Sequence, residues 1–264
     1  MSGRDQGGSG RYARELGDRW LAVRLGLAGR QHQYPEIVAL RRFLAHFRVD
    51  CVIDVGANAG QYATMLRRDV GFKGTILSFE PNPAVFVALE RRAAKDGNWH
   101  VHNIALSDSD GTAAFNIMAA DQFSSLNAPV AQQDAIFQSR NAVTQTVDVV
   151  TRRLDGLWPE LAAQHGSLRP FLKMDTQGHD RSVCTGAGPI LRLMAGVQTE
   201  LAVRPLYAGA TVYRDMIDLL AEAGFAPNAF FANNKGHFPL LVEMDGLFVR
   251  DNLLAGGGPV HAGA

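Results

Sequence analysis

Cysteine is scarce: Cys51 and Cys184 are the two in a chain of 264 residues. Two thiols cannot build a disulfide framework or a four-cysteine zinc site. A reducing compartment is the simpler reading. An excess of either charge is missing as well. Lys plus Arg number 26 and Asp plus Glu number 26, so no global basic field exists to hold nucleic acid. No run of about 18 apolar residues occurs, which excludes a membrane-spanning helix. The first ten residues, Met1 to Gly10, are Gly- and Ser-rich and lack an apolar h-region. They read as a disordered tail and not as a secretory signal, so the cytoplasm is the expected place. His32, His46, His165 and His237 show no metal-ligand spacing.

What is present is an ordinary globular balance, 47% hydrophobic and 20% charged, enough at this length to bury a core without staples. Residues 11–48 form a helical extension rich in arginine: Arg11, Arg14, Arg19, Arg24, Arg30, Arg41, Arg42 and Arg48. Leu16, Trp20, Val23 and Leu27 recur at steps of three or four, which predicts an amphipathic stripe. Pro35 opens a second helix with Ile37, Leu40 and Leu44 on one face. The arginines suit a solvated face or a grip on an acidic substrate, and the two helices offer a surface for a homodimer.

From residue 51 the rhythm changes. Strands are predicted at Cys51–Val55, Thr75–Phe79 and Trp99–Ala105, with helices at Gln61–Arg68 and Ala84–Lys95 between them. This βαβαβ series implies a parallel sheet covered on both faces. Short strands follow at Ala113–Ile117 and Thr144–Val150, flanking an irregular Ala119–Asn141 segment long enough to be a functional loop. The series resumes with a strand at Pro170–Asp175, a helix at Arg181–Ala187, a strand at Gly196–Leu201 and a helix at Tyr213–Ala223. Phe225–Phe231 and Leu240–Val249 form a closing antiparallel pair, and the tail from residue 253 is expected to fray. The predicted fold is α/β and Rossmann-like. It has a seven-stranded, mostly parallel sheet with helices on both faces and a C-terminal antiparallel strand, over residues 49–252. Eight regular βα units, as a barrel needs, are not there.

The first strand runs into Asp54-Val55-Gly56-Ala57-Asn58-Ala59-Gly60-Gln61-Tyr62. A glycine turn between a first strand and a helix is where doubly wound folds bind nucleotides. A dinucleotide fingerprint reads G-x-G-x-x-G; here Asn58 stands where a second glycine would. Asp54 adds a carboxylate that would repel a pyrophosphate and attract a cationic ligand. S-adenosylmethionine is such a ligand, with an ammonium, a sulfonium and no phosphate. Glu80 ends the second strand 20 positions after Gly60, the offset at which this fold places an acid on ribose hydroxyls. Asn82 follows it. Ala105, Ser107 and Asp108 end the third strand, where the loop would cover the adenine.

Taken in order, Val52 to Gly60, Phe79-Glu80-Pro81-Asn82, Ala105-Leu106-Ser107-Asp108, Lys173 to Gly178 and Met244 to Phe248 resemble the FkbM family of S-adenosylmethionine-dependent methyltransferases, over about residues 50–250. The resemblance implies methyl transfer, mostly to hydroxyls of sugars, glycolipids or polyketides and in some relatives to nitrogen. It also implies that a Ser-Ser-Leu element, here Ser124-Ser125-Leu126, shapes the acceptor pocket. One departure stands out. The family's Asp-Val-Glu-Gly becomes Asp175-Thr176-Gln177-Gly178, so a carboxylate is replaced by an amide that both donates and accepts.

The site expected from this reading is specific. Asp54, Gly56, Asn58, Gly60, Gln61, Tyr62, Glu80, Asn82, Ala105, Ser107 and Asp175 would hold the cofactor. His179 is the first candidate base, because its unperturbed pKa lies near working pH. Asp175 is the second candidate. Ser124, Ser125, Gln177 and Glu200 would face the acceptor, with Tyr207 and Asn233-Asn234-Lys235 within reach. Magnesium held by Asp175 and Glu200 is the alternative route. A nicotinamide-dependent oxidoreductase and a non-catalytic binding protein are the rival functions on this fold.

Overall fold

A computed structural model describes residues 7–130, 140–166, 168–232 and 239–254, with side chains from residue 17 onward. The expected loop residues Asn233-Asn234-Lys235, the ends of both tails and the Leu16, Arg11 and Arg14 side chains lie outside the described residues.

The chain begins with α1 (Gly7–Leu27) and α2 (Tyr34–His46), then β1 (Cys51–Val55), α3 (Gln61–Met65), β2 (Thr75–Phe79), α4 (Pro83–Ala93) and β3 (Trp99–His102). A side excursion follows: β4 (Ala105–Leu106), β5 (Gly111–Met118) and β6 (Val143–Arg152). Next come α5 (Leu154–His165), β7 (Pro170–Met174), α6 (Asp180–Ala187), β8 (Gly196–Ala202), α7 (Tyr213–Glu222), β9 (Phe225–Ala232) and β10 (Glu243–Arg250).

The main sheet has seven strands in the order β3-β2-β1-β7-β8-β10-β9. β1 pairs in parallel with both β2 and β7, and β10 is antiparallel to both its neighbours. The strand order therefore reverses between β1 and β7, which opens a crevice beyond their carboxyl ends. Because β1 and β7 are buried at every position, alternate residues must feed two cores. Val52 and Phe171 pack with Leu25, Ile37, Leu40 and Phe43 of the N-terminal helices. Ile53 and Leu172 pack with Leu154, Val183 and Met216 on the other face. Each such side chain contributes about 1.5–3 kcal/mol by leaving water.

Four expectations need correction. Residues 7–10 belong to α1, so the predicted tail is shorter at that end. The stripe of α1 is rotated: Trp20, Val23 and Leu27 are exposed, while Leu21 and Leu25 are buried. The predicted third strand splits at Asn103-Ile104, and its end, Ala105–Leu106, pairs with β6 in a second, three-stranded sheet. Helix α5 was not foreseen. Pro159 lies inside it, past the first turn, so the helix continues without the i→i−4 bond that an N–H there would make.

The arginines of the extension mostly dock it. Asp69, whose side chain is inaccessible, pairs with Arg24 at 2.7 Å, Arg30 at 3.0 Å and Arg68 at 3.2 Å. Arg41 donates to the Asp69 carbonyl at 2.7 Å and pairs with Asp18 at 2.8 Å. A buried carboxylate persists only when paired this fully. The knot ties both N-terminal helices to the turn that ends α3.

Candidate active site

The carboxyl ends of β2, β1, β7 and β8 border one cavity of about 620 Å³, within the range of cofactor sites. The glycine loop forms its floor. Gly56 has φ 73°, and a Cβ there would lie 1.9 Å from the Asp175 carbonyl oxygen. Only glycine lets the loop after β1 touch the loop after β7. Asn58 has φ 49°, so it keeps the left-handed backbone a glycine would give, a conformation Asn tolerates. Its side-chain oxygen accepts from the Ala59 N–H at 2.7 Å and from Gln61 Nε2 at 3.1 Å. Gly60 opens α3 at φ 83°, and a Cβ there would strike Trp99 and Leu89.

Glu80 is fixed by the loop it faces. Its Oε2 accepts from the Asn58 N–H at 2.7 Å and its Oε1 from the Asn82 N–H at 2.8 Å. Burial raises its pKa to about 7 against the pull of these two backbone donors. Asn82 caps α4 by accepting from Ala84 and Val85. Asn82 and Gly60 therefore shape the site without lining the cavity, whereas Glu80, Gly56, Asn58, Gln61, Tyr62 and Ala105 line it.

Asp54 does not face the cavity. It is wholly buried, accepts from the Ser78 hydroxyl at 3.1 Å and lies 3.3 Å from Lys173 Nζ. Direct attraction of a cationic ligand by Asp54 is thus replaced by a structural pair. Lys173 also lies 3.5 Å from Asp175 and sits over the Tyr62 ring at 5.1 Å. Burial opposes its charge, but Asp175 and Asp54 outweigh that and hold its pKa above the ordinary lysine value.

Opposite the glycine loop stands a hydrogen-bonded wall. Gln177, at φ 54° and buried, donates to Asp175 at 2.9 Å and to Glu200 at 3.0 Å. The Tyr207 hydroxyl reaches both Gln177 Oε1 at 2.9 Å and the Phe123 carbonyl at 2.8 Å. Ser125 donates to the Gln177 carbonyl at 2.9 Å, and Asn127 Nδ2 to the Gly178 carbonyl at 2.9 Å. These bonds pin the 121–127 segment onto the loop after β7. Ser124 lines the cavity; Ser125 is buried behind it.

Asp175 is the open acid of this wall, with a side chain 44% accessible. Glu200 and Glu243 share a hydrogen bond. Burial and the neighbouring acids push Glu200 well above the carboxylate range, and burial brings Glu243 to about 7. The Gln177 amide hydrogens occupy the space between Asp175 and Glu200. That donor set does not fit the proposed magnesium, and among the described residues no group of three or more His, Cys, Asp or Glu could hold a metal ion.

His179 lines the cavity, but both ring nitrogens are engaged. Ser107 Oγ lies 2.9 Å from Nε2 and Asn127 Oδ1 lies 3.4 Å from Nδ1. Burial lowers its pKa, with Asp108 opposing. A neutral ring that donates from Nδ1 spends its lone pair on Ser107. Ser107 itself is buried outside the cavity lining.

Sequence reasoning missed Glu36, Arg30, Gln198, Glu243 and Asp245, all of which line the cavity. Lys173 was assigned to this strand end. Glu36 and Arg30 carry no motif and come from the extension. Asp245 could have been found, because it faces Glu200 in the β8–β10 register.

The profile of the methyltransferase FkbM domain matches residues 54–227. The 2-O-methyltransferase NoeI of Sinorhizobium fredii (strain NBRC 101917 / NGR234) is 24% identical over 180 residues, 64% of this chain and 70% of that protein. The structure of methyltransferase FkbM from Methylobacillus flagellatus KT aligns with a TM-score of 0.43 at 14% identity, over 75% of this chain and 43% of that one. Magnesium protoporphyrin IX methyltransferase (ChlM) from Synechocystis PCC 6803, solved with bound SAM, aligns with a TM-score of 0.45 at 10% identity, over 84% and 81%. The chain thus spans less than half the length of the first of these structures.

Proposed function

The chain belongs to the FkbM methyltransferase family, and from that membership we propose that it transfers the methyl group of S-adenosylmethionine to a hydroxyl group. A sugar of a glycolipid, polysaccharide or glycosylated natural product is the first acceptor class. The observation that carries the reading is the Glu80 clamp. A buried carboxylate is held by two N–H groups at the rim of the cavity, opposite the open carboxylate of Asp175. Each Glu80 oxygen keeps a lone pair for a ribose hydroxyl. The bare Cα of Gly56 lets the loop after β7 close against the glycine loop, which brings Asp175 to the same cavity.

When bound, the sulfonium supplies an electrophilic methyl carbon. The chain then has three tasks: to hold the acceptor oxygen about 3–3.5 Å from that carbon, to keep it in line with the leaving sulfur, and to remove its proton. We assign the last to Asp175, the open acid of the wall, because both ring nitrogens of His179 are engaged, one by Ser107 and one by Asn127. Gln177 and Lys173 fix the direction of the Asp175 carboxylate. His179 in turn fixes the Ser107 hydroxyl on the adenine side. With the donor bound, Asp175 would take the acceptor's proton as the methyl group passed from sulfur to oxygen. Glu200, Glu243 and Asp245 line the acceptor end with carboxyl groups whose burial favours the protonated form, so they can donate as well as accept, which suits a polyol. The 2-O-methyltransferase relative supports oxygen over nitrogen.

Calorimetric titration with S-adenosylhomocysteine is the first test. Labelled-methyl transfer to sugar, polyketide and amine acceptors, read by mass spectrometry, is the second. Saturable binding with transfer to sugars is expected. A folded protein with no binding would refute the cofactor assignment, and transfer to amines alone would overturn the hydroxyl assignment.

A further inference from the structure

Helix α2 precedes the family match, which begins at residue 54, yet it delivers a carboxylate to the cavity. Glu36 Oε1 accepts from Gln198 Nε2 at 2.8 Å, and Gln198 Oε1 accepts from the Tyr62 hydroxyl at 2.8 Å. The chain of bonds runs from α3 over β8 to α2, and Gln198 at its centre is 3% exposed. The amide and hydroxyl orient one Glu36 oxygen. Oε2 has no hydrogen-bond partner among the described residues, and Glu36 lines the cavity. Arg30, at the junction of α1 and α2, lines the same wall. Its Nε donates to Gln33 at 2.7 Å and its Nη2 pairs with Asp69 at 3.0 Å. Nη1 has no partner among the described residues. The only lysine on the cavity wall among the described residues, Lys173, is already matched by Asp54 and Asp175.

An oriented carboxylate beside a half-committed guanidinium is the complement of an α-amino acid: the acid receives the ammonium and the guanidinium the carboxylate. Glu36 is tied through Gln198 to Tyr62, the residue after the glycine loop's first helical position, and Arg30 is close enough for its charge to act on Glu36. A ligand whose ribose rests on Glu80 reaches that wall by extending across β1 toward β7. We propose that the N-terminal extension completes the cofactor site, with Glu36 binding the ammonium and Arg30 the carboxylate of the methionine moiety. The proposal rests on the cofactor reading above. The Asp69 knot then serves binding as well as folding, because it holds Arg30 and α2 against the cavity.

The test separates the tail from the nucleoside and needs no acceptor. Full-length wild type and Glu36→Gln are titrated with S-adenosylhomocysteine, with its deamino analogue and with 5′-methylthioadenosine, which lacks the amino-acid tail. Glu36→Gln should weaken S-adenosylhomocysteine binding tenfold or more and leave methylthioadenosine within twofold. Wild type should bind the deamino analogue as weakly as the variant binds S-adenosylhomocysteine, and the variant should no longer tell the two apart. Equal loss of all three ligands, or no loss of any, overturns the proposal. If Glu36→Gln does not fold, the wild-type comparison of S-adenosylhomocysteine with its deamino analogue decides alone, and equal affinity overturns it. Wild type that binds none of the ligands sinks the cofactor reading itself. Wild type that binds methylthioadenosine and S-adenosylhomocysteine equally sinks only this inference.

Discussion

The two sides of the cavity are built by different means. On the nucleoside side, a short loop and one strand end do the work. Gly56, Asn58 and Glu80 lie within 25 residues of one another, and main-chain N–H groups hold the Glu80 carboxylate. On the acceptor side, Asp175, Gln177, Glu200, Tyr207 and the 121–127 segment come from four stretches of chain and are joined by side-chain bonds. Backbone-built sites tolerate little change because the peptide unit has no alternative partner. Side-chain networks can be re-cut one residue at a time, at about 1 kcal/mol per neutral bond. On the proposed reading, the donor side is tied to the fold and the acceptor side is open to variation.

The largest effect is expected where the two sides touch. Gly56→Ala places a methyl group against the Asp175 carbonyl and forces a side chain onto φ 73°. Strain of this kind costs about 1–3 kcal/mol before the clash is counted. S-adenosylhomocysteine binding should vanish in calorimetry and the melting temperature should fall by several degrees. Binding within threefold of wild type would mean that the two loops do not meet as described.

Next comes Glu80. On the proposed cofactor reading its loss removes two charge-assisted bonds to ribose, each about 1.5–3 kcal/mol, so Glu80→Ala should weaken S-adenosylhomocysteine at least tenfold. The pH dependence sharpens the comparison. Glu80 titrates near 7 in the free protein, and only its ionised form accepts from both hydroxyls. Binding therefore lowers that pKa and releases a proton. Affinity should fall as pH drops from 8 to 6 and level off above 7. Glu80→Gln should flatten that slope, and a slope unchanged in the variant would transfer the effect to another group.

Tyr207→Phe attacks the other side. It deletes a hydroxyl bound to Gln177 and to the Phe123 carbonyl, at a cost of about 1 kcal/mol. Cofactor affinity should stay within twofold while turnover on any accepted substrate falls about fivefold. Equal loss of both would show that the walls are not separable.

How much of this the sequence disclosed follows the same division. The glycine turn and Glu80 were legible because their spacing reflects local geometry: one strand, one turn, one helix. The alternation of strands and helices fixed the sheet for the same reason. Glu36 was invisible, since a single glutamate in an amphipathic helix has no periodic signature and reaches the cavity only through the packing of α2 on β8. The stripe of α1 was misassigned because two sets of apolar residues share its surface. Spacing cannot say that Leu21 and Leu25 face inward while Trp20, Val23 and Leu27 face out. Helix α5 runs through Pro159, which lies in the helix interior and reads as a breaker in sequence. Asp54 was recognised as important for the wrong reason. Its charge matters to Lys173 inside the sheet, and that partner is 119 residues away.

The smallest effect expected is at Asn58, where a substitution would restore the second glycine of the dinucleotide pattern. Asn58→Gly relaxes a left-handed backbone at φ 49° and deletes the bonds to Ala59 and Gln61. The relief and the loss are each about 1 kcal/mol and opposed. The backbone N–H that holds Glu80 survives, so S-adenosylhomocysteine affinity should change by less than about threefold. The variant would carry glycine at every second position from 56 to 60, as many nucleotide loops do, yet NADH fluorescence should still show no binding. The reason is that the loop meets the Asp175 carbonyl oxygen across Gly56, and no lysine or arginine lies within residues 56–60 to meet a pyrophosphate. Measurable NADH binding by Asn58→Gly would mean that residue 58 alone selects the ligand class. That would remove the main distinction drawn between a backbone-built nucleoside side and a side-chain-built acceptor side.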